Sequence, residues 1–215
     1  MNLQFLARQS GVDINSVLEH KQIGRTDILR IDQARAPALR RSLAARAEGI
    51  FKADITADGL YRDFPVQFID AEITDKFEDE VGPEEVWKLG GETYPPDSLF
   101  QIDGERIDFN VFERHDGKLF DLSLPNENWS RPWVAWGLAD IHPITGEFFW
   151  IWTQPASGWL EVHQGPPVDN TRRLSGVFRD VHFDVPNLHM FFPQAPDRPF
   201  VVDIANGHYE ITGTW

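Results

Sequence analysis

Apolar residues along this chain change rhythm near residue 50. Before that point they recur at helical spacing. Leu39, Leu43 and Ala47 repeat every four residues between about Ala36 and Glu48, while Arg40, Arg41 and Arg46 occupy other faces. Pro37 stands where a first-turn proline is tolerated, and Gly49 where a terminating glycine belongs. Residues 1–50 therefore read as a short helical region, although 27–32 (TDILRI) fits a strand as well as a helical turn.

From Phe51 onward apolar and polar residues alternate over short runs, the period of a strand. Strands are predicted at 64–73, 98–102, 106–113, 118–124, 132–140, 147–154, 158–163, 177–185, 199–204 and 208–215. Turns are predicted at Asp103-Gly104, His115-Asp116-Gly117, Thr145-Gly146, Ser157-Gly158 and Asn206-Gly207. Connections this short join antiparallel neighbours. The expected class is α+β, mainly β: an antiparallel meander over 51–215 forming a sandwich or barrel, with the helical region of 1–50 packed on it. Residues 75–97 and 164–176 read as long excursions.

One segment departs from ordinary strand composition. Six of the eight tryptophans lie between Trp129 and Trp159. In GEFFWIWTQ, Phe148, Trp150 and Trp152 share one face and Phe149 and Ile151 the other, so both faces are apolar. That is how a central strand covered on both sides reads. The alternative is a ligand pocket, or a sugar- or peptide-stacking platform, lined by Trp133, Trp136, Trp150, Trp152 and Trp159.

Composition narrows the class. Of 215 residues 41% are hydrophobic and 13% aromatic, which suits a globular core. No run of about 18 apolar residues predicts a membrane span. The first residues lack the basic start, apolar stretch and cleavage site of a secretory signal, and with no cysteine a cytoplasmic location is expected. The net charge of −14 is uneven, +3 over residues 1–50 and −17 over the rest. An acidic body repels phosphates and membrane surfaces and steers basic partners toward itself. The same charge also keeps an aromatic-rich protein dispersed.

Candidate chemistry lies on the strands. In VFRDVHFDV, Asp180, His182 and Asp184 face opposite to Val181, Phe183 and Val185. Glu161 and His163 share a face, and Asp140, His142 and Glu147 flank the turn of the tryptophan hairpin. Converging imidazole and carboxylate groups would supply acid–base chemistry, so His142, Glu147, Glu161, His163, His182 and Asp184 are the candidate catalytic residues. His182-x-Asp184 also outlines part of a non-haem iron site, but the next histidines, His189 and His208, are close in sequence, no arginine stands at a persuasive offset, and no metal is expected.

The acids Glu78, Asp79, Glu80, Glu84 and Glu85 would grip a basic partner; Gly82 follows the densest acids, unlike the glycine of a calcium loop. Leu6-Ala7, Gly11-Val12 and Val17 match helix-turn-helix spacing, without the flanking helices that complete the unit and against the charge of the body. No glycine-rich phosphate loop, HExxH or GxSxG is present, and no cofactor is expected. Two functions follow. One is an acidic, aromatic-rich binding protein, an inhibitor or immunity-type partner of a basic protein. The other is a small β-barrel enzyme using histidine and carboxylate on an apolar or cyclic small molecule held among tryptophans. Neither engages nucleic acid or membrane.

Overall fold

The computed structural model describes residues 3, 6–7, 13–32, 48–58, 60–63, 68–79, 82–93, 99–101, 104–124, 126, 130–169 and 171–214. Thirteen strands account for most of them: β1 (Val17–Ile23), β2 (Thr26–Ile31), β3 (Glu48–Ala57), β4 (Leu60–Asp63), β5 (Phe68–Asp79), β6 (Gly82–Thr93), β7 (Gly104–Phe112), β8 (Lys118–Asp121), β9 (Trp133–Ile141), β10 (Phe148–Thr153), β11 (Ser157–Gln164), β12 (Thr171–Val185) and β13 (Phe200–Thr214). The first sheet runs β1-β2-β10-β9-β7-β6-β5 and the second β4-β3-β13-β12-β11-β8. Within each sheet every pairing is antiparallel. A single parallel pair, Thr214 with Glu72, links the two. The result is an open two-sheet sandwich rather than a closed barrel.

Alternation builds the main core. Strand β11, SGWLEVHQ, buries Gly158, Leu160 and Val162 and turns Ser157, Trp159 and His163 outward. Strand β12 does the same with Phe178, Val181 and Phe183. These side chains meet Trp87, Phe109, Trp136 and Ile151 from the first sheet. Aromatic rings fill the middle, with the Phe109 centroid 5.1 Å from Phe178 and 5.5 Å from Tyr209. Two buried polar tips have partners: Trp136 Nε1 donates to Glu105 at 2.8 Å, and the Tyr209 hydroxyl donates to the Glu161 carbonyl at 3.0 Å.

A second apolar layer covers the outer face of the first sheet. It joins Leu29, Ile31, Trp133, Phe148, Trp150 and Trp152 to Leu6. Strand β10 lies between β2 and β9 with all six residues buried, so its apolar residues on both faces have a structural cause.

Several expectations are corrected. Residues 14–16 form one 3-10 turn and 17–31 a β-hairpin, not helices; residue 48 already opens a strand. The predicted helix at 36–47 lies outside the described residues. Val17 begins a strand, which removes the helix-turn-helix reading. The supposed excursion at 75–97 is largely the β5–β6 hairpin, and 98–102 is a 3-10 turn at Leu99–Gln101. The excursion at 164–176 is short, because Thr171 already opens β12. The predicted strands at 199–204 and 208–215 are one strand, β13, and Asn206-Gly207 lies inside it. Gly207 is needed there for packing: a Cβ would come within 1.9 Å of the Phe178 ring.

Candidate functional site

The second sheet loses its regularity at one level on three adjacent strands. In β12 the inward residues are Phe178 and Val181, three apart instead of two, so Arg179 and Asp180 both face out. Asp180 reaches this by adopting φ 52°, a left-handed conformation costing a non-glycine residue about 1–3 kcal/mol. In β13 the register slips between Ile204 and Asn206, leaving Ala205 and Asn206 both outward. In β11 the slip falls at Gly158, where φ is 130° and a Cβ would sit 2.6 Å from Val181 Cα. Bulges bend strands and re-aim side chains. Here they open a surface depression of about 480 Å3, lined by Lys52, Asp54, Arg179, Asn206 and His208 among others.

Cross-strand register fixes the row beneath the bulges. Asp121, Trp159, Arg179, Asn206 and Asp54 are successive partners across β8, β11, β12, β13 and β3. Trp159 is 42% exposed on this row, whereas Trp87, Trp133, Trp136, Trp150 and Trp152 are all buried. Glu161 receives His163 Nε2 at 2.7 Å and lies 3.8 Å from Arg179 Nη2. Above the bulges, His182 is held on both sides. Its Nδ1 is 2.6 Å from Asp203 and its Nε2 3.2 Å from Asp184. The hydrogen bond to Asp203 is the main cause that raises the His182 pKa; burial opposes it, and the Asp203 charge and Asp184 add to the rise.

Trp159, Glu161, His163, His182 and Asp184 thus share the outer face of the second sheet. His142 and Glu147 do not. They sit at the β9–β10 turn of the first sheet, where His142 Nδ1 accepts from the Thr145 amide at 3.2 Å. Glu147 binds Arg30 at 2.6 Å, and that bond chiefly lowers its pKa. Trp136 faces the core between the sheets. Trp133, Trp150 and Trp152 face the other side, packed ring on ring, with Trp152 5.7 Å from Trp133 and 5.2 Å from Trp150.

That buried layer also holds charge. Arg106 contacts Glu92 and lies 2.9 Å from Asp108, with its guanidinium 5.8 Å from the Trp150 ring and 6.0 Å from Trp152. Beside Trp133, the buried Asn110 has no hydrogen-bond partner for either amide atom. Of the acidic run, Glu78, Asp79, Glu84 and Glu85 are on β5 and β6 with side chains outside the described set, and Glu80 lies outside it altogether.

No family model, curated protein or solved structure matches this chain. Chemistry alone assigns the site. Among the described residues no three histidine or carboxylate side chains converge on a metal-binding point, and no helix is long and apolar enough to cross a membrane. Arg179, Asn206, Asp54 and Lys52 were not among the expected site residues. For Arg179 and Asn206 the signal was the slip in alternation in VFRDVHFDV and DIANGHYE, where two outward residues stand together; Lys52 and Asp54, on a regularly alternating strand, carried none.

Proposed function

We propose that this protein is a non-catalytic binding protein whose recognition surface is the outer face of the second sheet around Trp159. One observation carries the reading: Trp159 remains at the surface, beside a depression formed by three aligned bulges. A partly exposed indole keeps apolar area that a ligand can cover.

The histidine chemistry supports binding over catalysis. An imidazole bonded through both nitrogens to carboxylates favours the imidazolium and has both ring nitrogens engaged, which leaves neither directed at a ligand as a proton acceptor. His182 is in that position, bonded to Asp203 and Asp184, and these bonds favour its protonated form. His163 is exposed and engaged with Glu161.

The test is a ligand array carrying glycans, basic peptides and apolar small molecules, probed with wild type and Trp159→Ala. The reading expects at least one ligand held by wild type and lost in the variant, with matching circular dichroism and melting temperature. Equal binding by both proteins, or no binding by wild type, overturns it.

A second reading rests on Asn110. A buried amide with both atoms unpaired is costly, and polar groups this deep ordinarily have partners. A small polar molecule held between Asn110 and the tryptophans of the first sheet would supply them. Native mass spectrometry decides it: a co-purifying mass lost in Asn110→Leu supports the reading, and the bare polypeptide mass from wild type removes it.

A further inference from the structure

We infer that the surface around Trp159 takes a neutral oligosaccharide, laid across the strands of the second sheet with one sugar ring on the indole. This rests on the recognition-surface reading and specifies its ligand.

The chemistry of the row is the reason. Trp159 offers a flat apolar face suited to the C–H face of a pyranose ring. Its neighbours are planar polar groups. Arg179 presents a fork of donors and Asn206 one donor group and one acceptor, with the Asp54 carboxylate closing the row. Such groups pair with adjacent hydroxyls, each of which both gives and accepts a hydrogen bond. Arg179, Asn206 and Asp54 line the depression, and Trp159 is the cross-strand partner of Arg179, so the indole stands at the edge of the hydrogen-bonding groups.

Dimensions and charge agree. Trp159 to Asp54 spans three interstrand steps, roughly 14 Å at the usual strand spacing. That is longer than one sugar ring and suits several joined end to end. The exposed Leu119, paired with Glu161 on the neighbouring row, extends the apolar end past Trp159. Along the row and its borders Lys52 and Arg179 stand among Asp54, Asp121, Glu161 and Asp180, a balance that turns anionic ligands away while leaving both donors and acceptors for the hydroxyls of an uncharged one. A nucleic acid would meet carboxylates along the row. A peptide adding itself as a strand needs a sheet edge, whereas β11, β12 and β13 are interior strands of the sheet.

The test is isothermal titration calorimetry on the full chain with cellohexaose, xylohexaose and mannohexaose. Glucose serves as the single-ring control and a poly-lysine peptide as the non-carbohydrate probe. At least one hexasaccharide is expected to bind, ten-fold or more tighter than the single ring. Trp159→Ala should weaken it at least ten-fold and Asn206→Ala several-fold, with both variants folded by circular dichroism.

Failure of every hexasaccharide, or binding indifferent to Trp159→Ala and Asn206→Ala, overturns the inference. If the peptide binds instead and Trp159→Ala abolishes it, the carbohydrate assignment falls while the recognition surface stands. If nothing binds in a Trp159-dependent way, both fall.

Discussion

Replacing Arg106 with methionine tests whether the tryptophans of the first sheet are a structural layer. Methionine keeps most of the apolar stem and removes the guanidinium. That group contacts Glu92, lies 2.9 Å from Asp108, and sits within 6.0 Å of the Trp150 and Trp152 rings. Glu92 is 2% exposed and Asp108 7% exposed, so the variant strands two carboxylates away from water. Breaking a buried ion pair by removing one partner costs about 3–5 kcal/mol. For a chain of this length each kcal/mol moves the melting temperature by about 2–4 °C, so a fall of roughly 6–20 °C is expected by scanning calorimetry. Combining Arg106→Met with Glu92→Gln should hurt less than the two single changes added together, with a coupling of about 1–3 kcal/mol. A fall below about 2 °C, or simple additivity, would refute the account of Arg106 as the centre of a buried, coupled cluster.

Three other outcomes are expected. Gly207→Ala forces a methyl group to within 1.9 Å of the Phe178 ring and should cost about 1–3 kcal/mol in denaturant unfolding; Phe178→Leu should restore part of it, and a neutral Gly207→Ala would show that the ring does not cross that position. The raised His182 pKa means that folding favours its protonated form. The resulting stability is complete below the ordinary value of 6.5 and is lost as pH rises through the folded-state value, though solvent exposure keeps it small. In histidine NMR titrations the His182 midpoint should lie above 6.5 and drop in Asp203→Asn; a midpoint at or below 6.5 in wild type would contradict the hydrogen-bonded geometry. Leu6→Ala removes a fully buried side chain from the tryptophan layer and should destabilise by about 2–5 kcal/mol, read by the same unfolding; an unchanged midpoint would mean that Leu6 does not cover that layer.

The strands were legible wherever alternation was strong. Strands β7 to β11 fell close to their predicted positions, because their runs of strand-favouring residues end near short turns; in β11 alternation adds an inward apolar and an outward polar set. The doubly covered place of β10 was legible because both of its faces are apolar. The hairpin at 17–31 was not: VLEHKQI on an exposed edge strand carries little apolar signal, and β2 is apolar on both faces. Asn206-Gly207 misled because the pair is a strong turn former in isolation, whereas here Gly207 leaves space for a ring from the next strand. The long acidic stretch at 75–85 looked like a loop because charge masks the strand period, yet it belongs to the β5–β6 hairpin. Of the site, the sequence marked the single strands that carry Trp159, Glu161, His163, His182 and Asp184. It could not place β11, β12, β13 and β3 side by side. That adjacency is a long-range property, and it brings Arg179, Asn206 and Asp54 into line with Trp159.

Chemical-shift mapping of the labelled protein, titrated with whichever array ligand binds, tests the recognition surface most directly. The account predicts that the Trp159 indole N–H and the amides of Arg179, Asn206 and Asp54 shift together, while the Trp133 and Trp152 indoles stay in place. Shifts centred on the β9–β10 turn or on the buried tryptophans, with Trp159 unmoved, would contradict it.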